Sequence, residues 1–486
     1  KRQVPSNVTR IGHAVLAEDS KGHPQIVYYQ AGVGTGMALS EQVLGGSTGA
    51  GLSENVREAY SFLAHNYTDG DEIFLVGFSR GAFTARSIAG LIGGFGLLEK
   101  EALPYFYDIF LDWEHAGVKG YKPSAMKFIT GFELKAVADQ GAEYIDAYRT
   151  ALLERKLTQE VDITAIGVWD TVGALGIPTT PLLQKVGFPD FVKEYKFTDT
   201  SIDSYIHNAF HALALDEQRA AYAPTMWSNP PGNNTNLKQV WFPGVHSNVG
   251  GSYDDTAMAD ITLAWMMDQL SPWIDFKPGY ISTQVRANDQ FDALVQSQGL
   301  KEKRGWALGK IYQSCKFPTS LGGKKNRTPH IFHGEDPFKG TKYKEPLENT
   351  NEYVHASVRV RIDLGGKGWE DKGRYAPAGL SEWVLRNENR DHGEVKTEPA
   401  IDPNVNGTNG ASNGTSNGSS HTNGHTDGAT DGRTNGLAPA SGHIRWVYQG
   451  KDTAAQGKVM YEDKMGPIEL ELLGHDPVAY KAVFEN

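Results

Sequence analysis

The chain has a single cysteine, Cys315, in 486 residues. It can form no internal disulfide, so the disulfide framework that supports many small extracellular folds is excluded. No stretch approaches the roughly 18 uninterrupted apolar residues of a membrane-spanning helix, and any membrane contact is expected to be peripheral at most. An excess of positive charge is also missing. The formal net charge is −11, which argues against a nucleic-acid partner. No glycine pattern matches a P-loop or a dinucleotide fingerprint, although Gly32-Val-Gly34-Thr35-Gly36 is a glycine-rich loop whose backbone could approach a ligand. No methionine opens the numbering and no strand precedes residues 6 to 11, so the sequence reads as a domain entered after its first strand. The composition fits a soluble enzyme, expected in the cytoplasm and without metal or organic cofactor.

What is present is concentrated in one stretch: Glu72-Ile-Phe-Leu-Val-Gly77-Phe78-Ser79-Arg80-Gly81, followed by a small-residue helix read as far as Ala89. An apolar strand, a G-x-S-x-G pattern and a helix in succession describe a nucleophile elbow. A serine in so sharp a turn crowds the residues two positions either side, and Gly77 and Gly81 are expected to relieve that crowding. The helix would begin at the serine, so the backbone amide of Arg80 is expected to face a developing oxyanion.

Further elements follow from pattern. Residues 25 to 30, 72 to 76, 162 to 169 and 237 to 242 read as strands, and 53 to 66 as an amphipathic helix. Residues 205 to 215 read as an apolar helix, and 443 to 448 and 468 to 472 as strands. Continuous apolar strands alternating with helices predict an α/β fold: an α/β-hydrolase-like, mainly parallel sheet covered by helices on both faces, with helical and aromatic insertions at 100 to 155 and 175 to 235. Three regions are expected: a catalytic domain at 1–390, a disordered Asn/Gly/Ser/Thr-rich linker at 391–442, and a segment at 443–486 that packs back on the catalytic domain. His421 and His425 fall in the linker, where no helix would align them on a metal.

A serine nucleophile needs a base, and the base an orienting acid. Asp170 directly follows one apolar strand and His246 lies just past another, both at strand ends and in the order Ser, Asp, His. His211 and His355 are rival bases, and Asp216 is a rival acid. The rivals His211 and Asp216 are expected on a helix, and Arg80 and Arg86 paired at the surface. Phe78 and Thr171, beside nucleophile and acid, together with Gly34 and Thr35, are the expected substrate contacts.

Four segments carry a resemblance: Gly77-Phe-Ser-Arg-Gly-Ala-Phe, Trp169-Asp-Thr-Val-Gly-Ala-Leu-Gly, His211-Ala-Leu-Ala-Leu-Asp-Glu-Gln-Arg219 and Trp241-Phe-Pro-Gly-Val-His-Ser-Asn-Val-Gly-Gly251. They resemble the uncharacterised α/β-hydrolase family that includes the catalytic domain of type VI secretion phospholipase effectors. The loop at 30 to 36 and the segment at 351 to 359 are similar to that family too. The resemblance implies a Ser-Asp-His hydrolase of carboxylic esters, with lipids the best-known substrates, and matches Ser79, Asp170 and His246 to its motifs. Two departures stand out: the family's opening strand with its Asp-Gly-Thr turn lies outside the numbering, and Asn248 stands where the family usually has Asp. The competing expectation is a hydrolase-fold scaffold without turnover.

Overall fold

The structure, a computed structural model, describes residues 4–31, 50–116, 121, 141–172, 200–297, 304–316, 323–335, 342–387 and 444–485. The glycine-rich loop with Gly34 and Thr35, the expected linker at 391–442, and residues 173–199 of the second insertion lie outside the described residues.

Five parallel strands form the central sheet in sequence order: β1 (Phe74–Phe78), β2 (Ile163–Trp169), β3 (Ile206–Ala214), β4 (Asn236–Phe242) and β5 (Glu352–Val354). Both faces are covered. One face carries Ile166 and Val168 against residues of the helices Ala50–Asn66, Arg80–Phe95, Phe106–Glu114 and Gly141–Glu154. The other turns Ala165, Trp169 and Phe210 toward the helices Asn7–Ala14, Ala257–Leu270 and Pro467–Leu473. Strands buried on both sides have no polar face to show, and this explains their unbroken apolar runs.

The expected helix at 205 to 215 is β3, the middle strand of the sheet. A short apolar run buried on every side shows neither period, and residues 206 to 214 are buried except at His207. The expected strand at 468 to 472 is the helix Pro467–Leu473. Its Ile-Glu-Leu-Glu-Leu alternation looks like a strand, but Pro467 occupies the first helical turn and Glu469 Oε2 accepts the Gly466 N–H at 3.0 Å. Residues 25 to 30 form no strand; they run extended on the surface, with Ile26 72% exposed. The helix after Ser79 continues past Ala89 to Phe95. Gly93 and Gly94 lie in its interior because Tyr205 and Trp113 press so close that a Cβ would sit 2.1 Å from the Tyr205 hydroxyl and 2.9 Å from Trp113 Nε1.

Residues 444–485 return to the main body. Ile444–Tyr448 pairs between Trp383–Asn387 and Val459–Tyr461 in a small antiparallel sheet. Side-chain contacts fasten this segment: the buried Arg359–Glu462 ion pair at 2.8 Å, Lys238 to Asp463 at 3.0 Å and the hydrogen bond between His355 and Glu469 at 2.8 Å.

Candidate active site

Strand register assembles the site. Phe78 pairs with Trp169, and Trp169 with Ala212, so Ser79 and Asp170 leave adjacent strand ends side by side. The Ser79 N–H donates to the Trp169 carbonyl at 3.1 Å. Ser79 adopts φ 59 and ψ −121, and Asp170 adopts φ 45. Non-glycine residues in this region carry strain of order 1–3 kcal/mol, and Ser79 carries it at a strand-to-helix turn. Gly77 is indispensable to the turn, since a Cβ there would lie 2.3 Å from the Gly81 carbonyl oxygen. Gly81 is not crowded: a Cβ on it meets nothing within 4 Å. The expectation of equal crowding at both glycines is corrected, because the Gly81 Cβ direction points away from the strand.

His246 begins the short helix His246–Gly250, beyond the end of β4. Its Nδ1 lies 2.6 Å from Asp170 Oδ2, with both side chains buried. The Phe78 ring lies against the imidazole at 4.6 Å between centroids, and the Tyr222 ring meets it edge-on at 4.9 Å. The loop is braced from behind. The Gly244 N–H donates to Asp216 Oδ2 at 2.6 Å and the His246 N–H to Glu217 Oε2 at 3.3 Å. Asn248 accepts from the Val245 N–H at 3.1 Å and donates to the Lys310 carbonyl at 2.9 Å. Only an amide can do both, which gives Asn248 a structural reason to replace a carboxylate.

Burial alone would raise the Asp170 pKa, but the Arg327 guanidinium and the His246 hydrogen bond outweigh it and hold the carboxyl well below its usual range. An ionised Asp170 can only accept, so the hydrogen bond between them is donated by His246 Nδ1–H. That leaves Nε2 as the ring nitrogen turned away from Asp170.

The rivals are otherwise occupied. His211 lies on β3, not a helix; its Nε2 accepts the Thr171 N–H at 3.1 Å and its Nδ1 faces Gln239 Oε1 at 3.2 Å. Burial, aided by Arg86, lowers its pKa to about 3, so it stays neutral. Asp216, past the end of β3 and not on a helix, accepts from Gly244 and Tyr375, and burial raises its pKa to about 6. His355 has Ser357 Oγ on one ring nitrogen at 2.7 Å and Glu469 on the other at 2.8 Å. Thr171 is fully buried, its backbone holding His211 and Thr225. Arg80 is the first residue of the helix Arg80–Phe95. Arg86, expected at the surface, is 5% exposed and lies over the Trp227 ring at 4.2 Å.

Sequence reasoning missed Arg327 and the roles of Glu217, Arg219 and Tyr222. Glu217 is 1% exposed and accepts from Arg219 Nε and Nη2, both at 2.9 Å, while the guanidinium stacks on Tyr222 at 3.4 Å. A Glu-x-Arg directly after an apolar run was a usable signal for that pair. Arg327 sits in Lys324-Lys-Asn-Arg-Thr, where nothing distinguishes it from surface lysines.

The uncharacterized protein YEL023C of Saccharomyces cerevisiae is 25% identical over 232 residues, a match covering 44% of this chain and 29% of that protein. The chain thus spans under a third of that relative's length. No solved structure matches it. The family model described as T6SS, Phospholipase effector Tle1-like, catalytic domain, matches residues 1–269. With more than half its length matched, and with Ser79, Asp170 and His246 all inside the matched part, the chain belongs to the Tle1-like phospholipase effector catalytic-domain family.

Proposed function

We propose that the chain is a serine hydrolase that cleaves the carboxylic esters of lipids, phospholipids among them, through Ser79, His246 and Asp170. The observation that carries this reading is the 2.6 Å contact between buried Asp170 and His246, beside a serine held at φ 59 between a strand and a helix. Family membership supports the lipid class.

In the proposed reaction His246 Nε2 takes the Ser79 hydroxyl proton as Oγ attacks the acyl carbon. Asp170 holds the imidazole and stabilises its charged form. The Arg80 backbone N–H, at the start of the helix, faces the oxyanion. Collapse of the tetrahedral adduct expels the alcohol, which leaves with the proton from His246. Water, deprotonated by the same imidazole, then hydrolyses the acyl-enzyme and restores Ser79.

The test pairs fluorophosphonate labelling with hydrolysis of p-nitrophenyl butyrate and of phosphatidylcholine vesicles. Wild type should be labelled and active, and Ser79→Ala neither, with unchanged melting. An unlabelled, inactive but folded wild type would favour the scaffold reading instead.

A further inference from the structure

Asp170 has more hydrogen-bond capacity than one imidazole can use, and Arg327 fills it. Arg327 Nη1 donates to Asp170 Oδ1, and Nη2 donates to Oδ2 at 3.0 Å. The same nitrogens reach the carbonyls of Ala214 and Tyr222, each at 2.7 Å. Oδ1 also accepts the Ala214 N–H at 2.9 Å. Arg327 is 3% exposed and Asp170 fully buried. The arginine is itself delivered by a braced segment: Ala220 N–H donates to the Gly323 carbonyl at 3.1 Å, Lys325 N–H to Gln218 at 2.9 Å, and Gln218 Nε2 to Asn326 Oδ1 at 2.8 Å.

We infer that Arg327 is a positioning residue for ester hydrolysis, fixing the Asp170 carboxylate toward His246 and setting the acidic limit of the reaction. The inference rests on the triad proposed above. A buried carboxylate facing only a neutral imidazole is driven by desolvation toward its protonated form, in which it no longer stabilises an imidazolium. A guanidinium fork satisfies both oxygens at once and supplies the compensating charge. The same charge has a second effect. It opposes uptake of a proton by the buried site that Asp170 and His246 share. The other ionisable groups around the pair do not substitute for it: His211 is neutral, Arg86 faces His211, and Glu217 is neutralised by Arg219 while accepting the His246 N–H. Tyr222 connects the two halves, since its carbonyl holds Arg327 and its ring abuts His246.

The test compares wild type, Arg327→Met, Arg327→Lys, Arg327→Ala and Ser79→Ala as full chains, with p-nitrophenyl butyrate as substrate and thermal melting in parallel. Arg327→Met should lose kcat by roughly 10²- to 10³-fold, less than the ~10⁴ that follows loss of the acid's own role, with KM little changed. The acidic limb of its kcat/KM profile should move to higher pH, whichever member of the pair takes the proton. Arg327→Lys keeps a charge but not the fork, so its limb should stay in place while kcat falls about tenfold, one pK-equivalent of lost stabilisation. Guanidinium ion at millimolar concentration should restore part of the Arg327→Ala rate. Should Arg327→Met not fold, the Lys variant and guanidinium rescue decide. A wild-type rate and limb in folded Arg327→Met, or a lower rate with an unshifted limb in folded Arg327→Met or Arg327→Ala and no guanidinium rescue, or a shifted limb or wild-type kcat in folded Arg327→Lys, would overturn the inference. Retained activity in Ser79→Ala would instead overturn the triad on which it rests.

Discussion

Replacing each glycine of the elbow by alanine separates two roles that the G-x-S-x-G pattern merges. At Gly77 an added Cβ would stand 2.3 Å from the Gly81 carbonyl oxygen, 2.5 Å from its carbon and 2.6 Å from Ala82 Cα. All three are backbone atoms, so no side chain can swing aside. Restoring ordinary contact at about 3.5 Å requires the start of the helix to retreat by about 1 Å from β1. Overpacking costs typically 1–3 kcal/mol where side chains yield, and a backbone clash belongs at or above the upper end. The retreat also carries Ser79 with it, and a displacement of about 1 Å costs on the order of 10²-fold in rate. Gly81 lies in the first turn of the same helix with open space at its Cβ. Alanine there removes helix-disfavouring freedom, worth up to about 1 kcal/mol, and touches nothing. Gly77→Ala should therefore lower Tm and cut kcat by a hundredfold or more, while Gly81→Ala should raise Tm slightly at an unchanged rate. Differential scanning calorimetry and p-nitrophenyl butyrate kinetics read both quantities. Equal losses in the two variants, or a Gly77→Ala protein with wild-type kcat, would refute the steric argument.

Other outcomes follow from the same geometry. Asp170→Asn should reduce kcat by about 10⁴ and also destabilise the fold by roughly 3–5 kcal/mol, because Arg327 is left buried without its carboxylate; chemical denaturation measures the second effect independently of the first. Gly250→Ala should lose both stability and rate despite improved helix propensity, since its Cβ would fall 1.9 Å from the Phe78 ring that lies on His246, and the double variant Gly250→Ala/Phe78→Ala should recover Tm relative to Gly250→Ala alone. Burial alone would raise the Glu217 pKa, but Arg219 holds it at about 2, below its value of 4.5 when unfolded. The folded state thus gives up this proton more readily, so the stabilisation, on the order of 3 kcal/mol, is complete above pH 4.5 and is lost as pH falls toward 2. Melting curves across that window should flatten in Glu217→Gln, and an identical slope in the variant would contradict the assignment.

The sheet, and the placement of Ser79, Asp170 and His246 at the ends of its strands, were legible because they rest on local grammar. Strand ends at Phe78, Trp169 and Phe242 are each followed within a few residues by a member of the proposed triad. Errors came where tertiary burial erased periodicity, as in β3, or where a capping interaction outweighed an alternating pattern, as at Pro467–Leu473. The run at 25 to 30 has strand composition, yet β-propensity measures fit to a neighbouring surface, and among the described residues it pairs with no strand. Arg327 was invisible for a different reason. Its role depends on meeting Asp170 across 157 positions of chain, and its own neighbours in sequence are ordinary basic residues.

The return of residues 444–485 to the sheet means that the part matched by the family model and the part that holds together have different borders. The part matched by the family ends at residue 269, yet the counter-ion of buried Asp170 is Arg327, and the edge of β4 is closed by β5 at residues 352 to 354. Asp463 lies further on still, and takes the Trp265 indole N–H at 2.9 Å and the Lys238 ammonium at 3.0 Å. A polypeptide cut at residue 269 would keep every residue of the proposed triad. It would also expose a strand edge and bury an acid with no cation beside it. The smallest portion able to stand as a folded unit is therefore set by charge neutrality and sheet closure, and it extends well past residue 269.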